Sequence, residues 1–345
     1  MSPRAHGPDP DAPSSPHGVN GPVFRVGART SLLARRQAGL VVDALVGEAA
    51  TDAEFVGIRT AGDIAPDVPI GTIAGTGVFT RELERALSDG EIDAAVHSLK
   101  DLATRMPEGL RIGAVLPREN PLDTLILSEE LRARKADGPS RPGLNALPEG
   151  AVVGTSSLRR RAFLLRLRPD LRVETIRGNV PTRLEKLRAG SFDAIVLAAA
   201  GLRRLDRADE IYAMLPAAEF PPAPGQGAVA VQIRADDERA LDLVGRLDHP
   251  PSAIVVTAER SFLNRIEGGC QVPAGALAEI DGATLTLTTL VCSPDGRRAV
   301  AASAVGSAEE AVAVGLTAAD RALRDGAHEI LAPLRAPAGD GSDFA

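Results

Sequence analysis

The sequence contains no tryptophan, one tyrosine and eight phenylalanines among its 345 residues, so aromatic side chains are scarce. Proteins that hold single-stranded nucleic acid stack the bases on aromatic faces, and this chain offers few of them. Its formal net charge of −7 also argues against a surface that binds a polyanion. The core must be built from leucine, valine, isoleucine and alanine, which suits an α/β protein.

Cysteine is almost as rare, since only Cys270 and Cys292 are present. Two cysteines form no disulfide framework, which indicates a reducing compartment. The chain also lacks an apolar run of about 20 residues, which a membrane-spanning helix needs. Residues 1–22 contain six prolines and no apolar run, so they do not read as a secretory signal. We therefore expect a cytoplasmic protein without membrane association, with disordered tails at 1–22 and 336–345.

One local feature contrasts with the acidic average. Residues 158–168 contain five arginines in eleven positions. A basic cluster within an acidic protein indicates a specific anionic ligand more than a polyanion surface. A nucleic-acid binder built on this segment is the alternative, and salt dependence of its binding to random DNA would distinguish the two.

Strand-like and helix-like segments alternate along most of the chain, which predicts mainly parallel sheets. We expect domain 1 at 23–120 and 226–246, domain 2 at 121–225, and a small α+β domain 3 at 247–335. The first two should resemble each other and enclose a cleft, with a crossing or hinge at 216–227. The polar segment 60–77 is predicted to be a lid or binding loop, and 128–148 an insertion or linker. Strands are predicted at 23–28, 53–58, 93–97, 110–116, 122–127, 151–154, 172–176, 193–198, 228–233, 276–280, 284–291 and 298–303.

Ligands of open parallel sheets bind beyond the carboxyl ends of the strands. Five of the predicted strands are followed by hydroxyl, amide or cationic groups. These are Arg29 and Ser31; Ser98, Lys100 and Asp101; Thr155, Ser156, Ser157, Arg159 and Arg160; Arg177, Gly178, Asn179 and Arg183; and Gly201, Arg203 and Arg204. Helix starts leave backbone N–H groups free for an anion, and arginine binds carboxylates through two hydrogen bonds. The pattern predicts a cleft for a ligand with several carboxylates or phosphates.

Asp101 is the one acid in this cationic setting, where it should remain ionised. It could stabilise a developing cation or move protons. An ion pair with Lys100 or an arginine is the alternative.

Cys270 follows two glycines in Glu267-Gly-Gly-Cys-Gln-Val-Pro273, so its thiol could be exposed as a nucleophile or covalent tether. The alternative is a small buried hydrophobe, which is what we expect of Cys292. His97, at the end of a strand, is expected to be a core histidine with its hydrogen bonds satisfied. No histidine or cysteine cluster has metal-ligand spacing, so we expect no metal.

Several motifs resemble those of the porphobilinogen deaminase (hydroxymethylbilane synthase) family, in the family's order and over residues 23–335. They are Arg25-Val-Gly-Ala-Arg-Thr-Ser31, Ala95-Val-His-Ser-Leu-Lys-Asp101, Val153-Gly-Thr-Ser-Ser-Leu-Arg-Arg160, Ile176-Arg-Gly-Asn179, Thr182-Arg183, Ala200-Gly-Leu-Arg-Arg204, Pro224-Gly-Gln-Gly227 and the Cys270 segment. The resemblance implies two domains like periplasmic binding proteins around a cleft, plus a third that carries the cysteine. It also implies a cytoplasmic monomer.

The same resemblance implies a transferase of heme biosynthesis. It would condense four porphobilinogen molecules head to tail, with loss of ammonia, on a dipyrromethane cofactor bound covalently to Cys270. Asp101 would be catalytic. The cofactor's carboxylates would be held by Ser98, Lys100, Thr155, Ser156, Ser157, Arg159, Arg160 and Arg183. Substrate or the growing chain would be bound by Arg29, Ser31, Arg177, Gly178, Asn179, Arg204 and Gln226.

The sequence departs from the family pattern in the predicted lid. Thr72 and Thr76 stand where the family usually has two lysines, which removes two positive charges. An inactive family member is therefore one alternative. A non-enzymatic anion-binding module is another, because two α/β domains around an anion-binding cleft would suit a solute-binding protein.

Overall fold

The computed structural model of the protein describes residues 22–60, 80–136, 143–266 and 272–335. Within them, the strands form two sheets of five strands and one of three. In chain order the strands are β1 Phe24–Arg29, β2 Ala53–Ile58, β3 Ala94–Ser98, β4 Leu110–Val115, β5 Asp123–Leu127, β6 Val152–Gly154, β7 Arg172–Glu174, β8 Ala194–Ala198, β9 Ala213–Met214, β10 Val229–Arg234, β11 Ala274–Asp281, β12 Thr284–Cys292 and β13 Ala299–Ser307.

Helices alternate with these strands as the sequence predicts. In the described ranges they are α1 Leu32–Gly47, α2 Arg81–Ser88, α3 Glu129–Ala136, α4 Leu158–Leu167, α5 Val180–Arg188, α6 Ala199–Arg204, α7 Glu238–Gly245, α8 Pro250–Arg265, α9 Ala311–Ala322 and α10 His328–Arg335. No helix within those ranges combines the length and hydropathy that crossing a membrane requires.

The two five-stranded sheets share one topology. Their strand orders are β2-β1-β3-β10-β4 and β7-β6-β8-β5-β9. In each sheet the fourth strand of this order runs antiparallel to both neighbours, and the other pairs are parallel. That strand is β10 in the first sheet, where it arrives from the second, and β5 in the second sheet, where it arrives from the first. The prediction of two similar, mainly parallel α/β units is confirmed.

The two crossing segments run side by side. The amide of Leu116 donates to the Val229 carbonyl at 3.0 Å, and the amide of Glu119 donates to the Gly227 carbonyl at 3.2 Å. Gly227 has φ +89°, and a Cβ there would collide with the Glu119 carbonyl oxygen. Only glycine fits a backbone this close in this conformation. The segment predicted as a crossing or hinge does join β9 to β10.

The third sheet is antiparallel, in the order β11-β12-β13, and α8 and α9 cover it. The sheet packs against the second large unit, and α8 packs against the first. From β12, Leu290 and Cys292 enter the core cluster that holds Phe163 and Phe220 of the second unit. From α8, Val256 enters a cluster beside the end of β3. The carboxyl-terminal part of the chain therefore bridges the two halves of the predicted cleft.

Four elements were not predicted from the sequence. Within residues 128–148, which were expected to be an insertion or linker, Glu129–Ala136 forms a helix. The Ser128 hydroxyl accepts a hydrogen bond from the Leu131 amide at 3.4 Å, and the Leu131 side chain is buried. One cap and one apolar contact therefore suffice to form a helix in this polar segment. The other three elements are β9, α7 and α10. The lid expected at 60–77 lies, apart from residue 60, outside the described residues, as do both tails up to residue 21 and from residue 336.

Candidate active site

A fully buried carboxylate lies at the centre of the site. Asp123, the first residue of β5, is 0% exposed, and Arg159 and Arg160 of α4 are 4% and 6% exposed. Arg159 Nη1 lies 2.7 Å from Asp123 Oδ2, and Arg160 Nη2 lies 2.7 Å from Asp123 Oδ1. Two adjacent arginines on one helix thus share a single aspartate from the neighbouring strand.

Both guanidinium groups also donate hydrogen bonds to backbone carbonyl oxygens. Arg160 Nη1 donates to the Val196 carbonyl at 2.9 Å, and Arg159 Nη1 donates to the Pro221 carbonyl at 2.8 Å. Arg159 Nε is buried and has no hydrogen-bond partner among the described residues. One cationic N–H in the cluster is therefore left to be satisfied by something outside those residues.

Gln226 connects this cluster to the first unit. Its Nε2 donates to Asp123 Oδ1 at 2.9 Å and to the Pro121 carbonyl at 2.7 Å. Its Oε1 accepts from Lys100 Nζ at 3.2 Å. Lys100 follows β3 and Gln226 lies in the returning crossing segment. The amide side chain thereby spans the junction between the two five-stranded sheets.

The pKa values reflect how closely these charges are packed. Burial alone would raise the pKa of Asp123, but Arg159 and Arg160 hold it well below its usual range. Removal from water lowers the pKa of Lys100 to about 8, against the opposing effect of Asp101. Burial, with repulsion from Arg160, lowers the pKa of Arg183 to about 10. An added anion would offset the electrostatic repulsion between cations packed this closely.

Asp101 of the first unit interacts electrostatically with Arg183 of the second. It is exposed, at the end of the short 3-10 turn Leu99–Asp101 that follows β3. Its carboxylate raises the pKa of both Lys100 and Arg183, so these three groups share one electrostatic environment. Asp101 follows β3 of the first unit, and Arg183 lies on α5 of the second. The structure therefore assembles this part of the predicted site from both units.

The predicted hydroxyl ligands have local structural roles. Ser31 and Ser157 cap α1 and α4, accepting the amides of Ala34 and Arg160 at 3.4 Å each. Ser98 Oγ accepts from Gln37 Nε2 at 2.9 Å. Thr155 Oγ1 accepts the Ser157 amide at 3.2 Å, and Ser156 donates to the Ile176 carbonyl. Caps at the starts of α1 and α4 fix the N-terminal turns where anions bind.

The Arg177-Gly178-Asn179 turn has a similar role before α5. Asn179 Oδ1 accepts the Thr182 amide at 3.1 Å and caps the helix. Gly178 has φ +109°, and a Cβ there would press on the Thr182 side chain. Arg183 Nε donates to the Gly178 carbonyl at 2.7 Å, which fixes that arginine toward the cluster.

The arginines after β8 reach the crossing segments. Arg204 Nη2 donates to the Gly227 carbonyl at 2.7 Å, and Arg203 Nη1 pairs with Glu119 at 2.9 Å. Burial lowers the pKa of Arg204. Arg29 lies half-buried at the end of β1. Arg204 therefore stabilises the crossing segment at 216–227. Its predicted role in substrate binding does not require this contact.

Two expectations about non-catalytic residues are confirmed. Cys292 is buried, and burial raises its thiol pKa to about 11. His97 Nε2 is 2.9 Å from Gln232 Oε1, and burial lowers its pKa to about 4, so it is a neutral core histidine. Cys270 lies outside the described residues, as do Thr72 and Thr76. Among the described residues, no group of histidine, cysteine and carboxylate side chains could hold a metal ion.

Known proteins match this chain over most of its length. The family model for the porphobilinogen deaminase dipyromethane cofactor binding domain matches residues 24–242, and the model for the carboxyl-terminal domain matches 253–324. Porphobilinogen deaminase of Pelotomaculum thermopropionicum is 48% identical over 90% of this chain and 96% of its own length. That of Desulforudis audaxviator is 48% identical over 91% of this chain and 98% of its own length.

Among solved structures, a periplasmic substrate-binding protein of an ABC transporter from Coxiella burnetii is 14% identical, with a TM-score of 0.41. The match covers 69% of this chain and 97% of that one. This similarity is too weak to inform function, whereas the two family models together span both large units and the third. The chain belongs to the porphobilinogen deaminase family.

Proposed function

We propose that this chain is a transferase of heme biosynthesis that condenses four porphobilinogen molecules head to tail into hydroxymethylbilane, releasing ammonia. The observation that carries the proposal is the crowding of cations in a member of this family: Lys100, Arg159 and Arg160 interact with the buried Asp123, and Arg183 interacts with Arg160. Porphobilinogen bears an acetate and a propionate, so each addition brings two carboxylates. Release of one ammonia for each porphobilinogen consumed tests the proposal.

The described residues fit the family's dipyrromethane cofactor. Four cations face two carboxylates, Asp123 and Asp101, so the cluster keeps surplus positive charge for the carboxylates of a ligand. Arg159 Nε, buried without a described partner, supplies an N–H for one of them. When bound through Cys270, the cofactor supplies the pyrrole end to which substrate is joined.

We assign the cofactor-holding role to the side chains on the second unit's helix starts and their partners across the junction. These are Ser98, Lys100, Thr155, Ser156, Ser157, Arg159, Arg160 and Arg183. Arg29, Ser31, Arg177, Gly178, Asn179, Arg204 and Gln226 are assigned to substrate and the growing chain. The contacts support a second role for several of them, because Gln226 and Arg204 also brace the crossing segments.

Asp101 is proposed as the catalytic carboxylate. Its exposed position and its electrostatic effect on Lys100 and Arg183 support a role in stabilising the cation that develops as ammonia leaves. The same carboxylate is available to hold the proton of a pyrrole nitrogen or to accept one.

The remaining parts of the proposal concern organisation. We propose domain 1 at 23–120 and 226–246, domain 2 at 121–225 and domain 3 at 247–335, in keeping with the strand membership of the three sheets. The protein is proposed to act as a cytoplasmic monomer. The scarcity of cysteine supports a reducing compartment, and the family resemblance supports the monomer.

Arg160→Leu is expected to impair cofactor assembly. The substitution removes the guanidinium that binds Asp123 and Gln226, and it leaves the cluster one cation short for the cofactor's carboxylates. Intact mass after incubation with porphobilinogen should show mostly unmodified chain, while a melting curve establishes that the variant is folded. Arg166→Leu, at an exposed position of the same helix, is the control and should load fully. Normal cofactor content in Arg160→Leu would contradict the assignment.

A further inference from the structure

One face of α8 contacts the segment that follows Asp101. Val256, Arg260 and Asn264 are spaced four residues apart, which places them on the same side of the helix. Val256 packs with Leu99 and Leu102 in a buried cluster. Asn264 Oδ1 accepts from Thr104 Oγ1 at 3.4 Å. The helix therefore touches this segment on both sides of Arg260.

Arg260 makes the central contacts. Its Nη1 donates to the Leu102 carbonyl at 3.1 Å, and its Nη2 donates to the carbonyls of Ala103 at 2.6 Å and Thr104 at 3.4 Å. Hydrogen bonds from a charged donor are stronger than neutral ones, and a planar guanidinium fixes the direction of each acceptor. Three successive peptide groups after Asp101 are thus held by one side chain.

The backbone geometry transmits this restraint to Asp101. The Leu102 amide donates to the Leu99 carbonyl at 3.1 Å and closes the 3-10 turn that presents Asp101. Residues 103–106 form no helix or strand, so their conformation depends on such side-chain contacts. Loss of the Arg260 hydrogen bonds would release the carboxyl-terminal side of the turn.

The other end of the same helix leads to the cofactor cysteine. The last residue of α8 is Arg265, and Cys270 stands five residues later in the sequence. Earlier on the helix, the buried Glu259 carboxylate pairs with Arg118 Nη1 at 2.8 Å and accepts the Gly225 amide at 2.7 Å. One rigid helix therefore joins the catalytic turn, the crossing segments and the start of the cysteine segment.

We infer that Arg260 is a positioning residue of the reaction: through the carbonyls of residues 102–104 it holds the 3-10 turn that presents Asp101 against α8. This inference rests on the proposed role of Asp101. Small misplacements of a catalytic group cost rate more than they cost binding, with about 100-fold lost for a shift of roughly 1 Å. Arg260 acts on the rate without touching substrate.

Arg260→Ala tests this inference in the full-length, cofactor-loaded enzyme. We expect kcat to fall about 10- to 100-fold with KM changed less than about 2-fold, while intact mass shows the same cofactor content as wild type. Arg260→Lys should give an intermediate kcat, because one ammonium group cannot reach all three carbonyls as a guanidinium does. The matched control is Arg265→Ala on the same helix, which removes an exposed ion pair with Asp320 and should keep the wild-type kcat.

Hydrogen exchange gives a readout that does not depend on turnover. The Leu102 amide should exchange at least about 10-fold faster in Arg260→Ala than in wild type or Arg265→Ala, since its turn is no longer held. A wild-type kcat in Arg260→Ala, or unchanged exchange at Leu102, would overturn the inference. A fall in melting temperature and cofactor content without the kcat-specific loss would also overturn it, by showing a purely structural role. A wild-type enzyme that consumes no porphobilinogen would instead refute the proposed function.

Discussion

Asp101→Ala is expected to yield a folded protein whose turnover of porphobilinogen is at least about 100-fold slower than that of wild type. Asp101 is exposed at the end of its 3-10 turn, so its truncation creates no buried cavity. The variant loses the carboxylate that raises the pKa of Lys100 and Arg183, and with it the negative charge that we propose stabilises the developing cation. The effect should therefore fall on kcat more than on the melting temperature.

Steady-state rates and melting curves of the loaded enzyme measure these two effects separately. Asp242→Ala is a suitable control, since Asp242 is an exposed aspartate in an i,i+4 pair with Arg246 on α7. It should match wild type in both measurements. A rate within about 3-fold of wild type for Asp101→Ala would remove this residue from the mechanism.

Asp123→Asn is expected to destabilise the protein by about 3–5 kcal/mol, because it leaves two buried guanidinium groups without their counter-charge. It should also reduce cofactor loading, since Arg159 and Arg160 lose the carboxylate that orients them. Chemical denaturation and intact mass after incubation with porphobilinogen measure the two effects. Asp170→Asn removes an aspartate from the partly exposed pair with Arg168 and should change both far less.

The destabilisation by Asp123→Asn should depend on pH in one direction. Arg159 and Arg160 hold the pKa of Asp123 well below its usual range. A depressed pKa gives stability that is fully present above the unfolded value of about 4 and is lost as the pH falls toward the folded value. The stability difference between wild type and Asp123→Asn should stay constant above pH 4 and narrow below it. A difference that widened in acid would contradict the buried ion cluster.

Much of the fold follows from local patterns in the sequence. Short apolar runs followed by polar residues and helical periodicity place β1, β3, β6 and β8 within about one residue of their positions. In the structure the side chains of Ser31, Ser157 and Asn179 cap the helices that follow β1, β6 and β7. Ligand-binding side chains are predictable at the strand ends, since parallel strands present their carboxyl ends on one edge of the sheet.

The missed features depend on contacts between distant parts of the chain. Asp123 reads as the first residue of an ordinary strand, and its partners Arg160 and Gln226 are 37 and 103 residues away. Nothing local distinguishes it from a surface aspartate. The helix at Glu129–Ala136 was missed because its single buried anchor, Leu131, gives no apolar periodicity. The two residues of β9 are too short for a pattern and form a strand only by pairing with β5.

The structure also changes what some predicted residues do. Gln226 was expected to bind substrate, and it additionally joins Lys100 to Asp123 across the junction. Arg260 carried no motif, yet it holds the segment after Asp101. Side chains that brace a site can look like ordinary surface charges in the sequence, because their partners are backbone carbonyls, which every residue has.

The central claim is that Cys270 carries a covalent dipyrromethane, and intact mass of the purified protein beside Cys270→Ser tests it most directly. We expect the wild-type chain to exceed its sequence mass by two linked pyrrole units, either as purified or after incubation with porphobilinogen, and the Cys270→Ser variant to match its own sequence mass in both cases. A wild-type chain that gains no mass under either condition, or a variant that gains the same mass, would contradict the account.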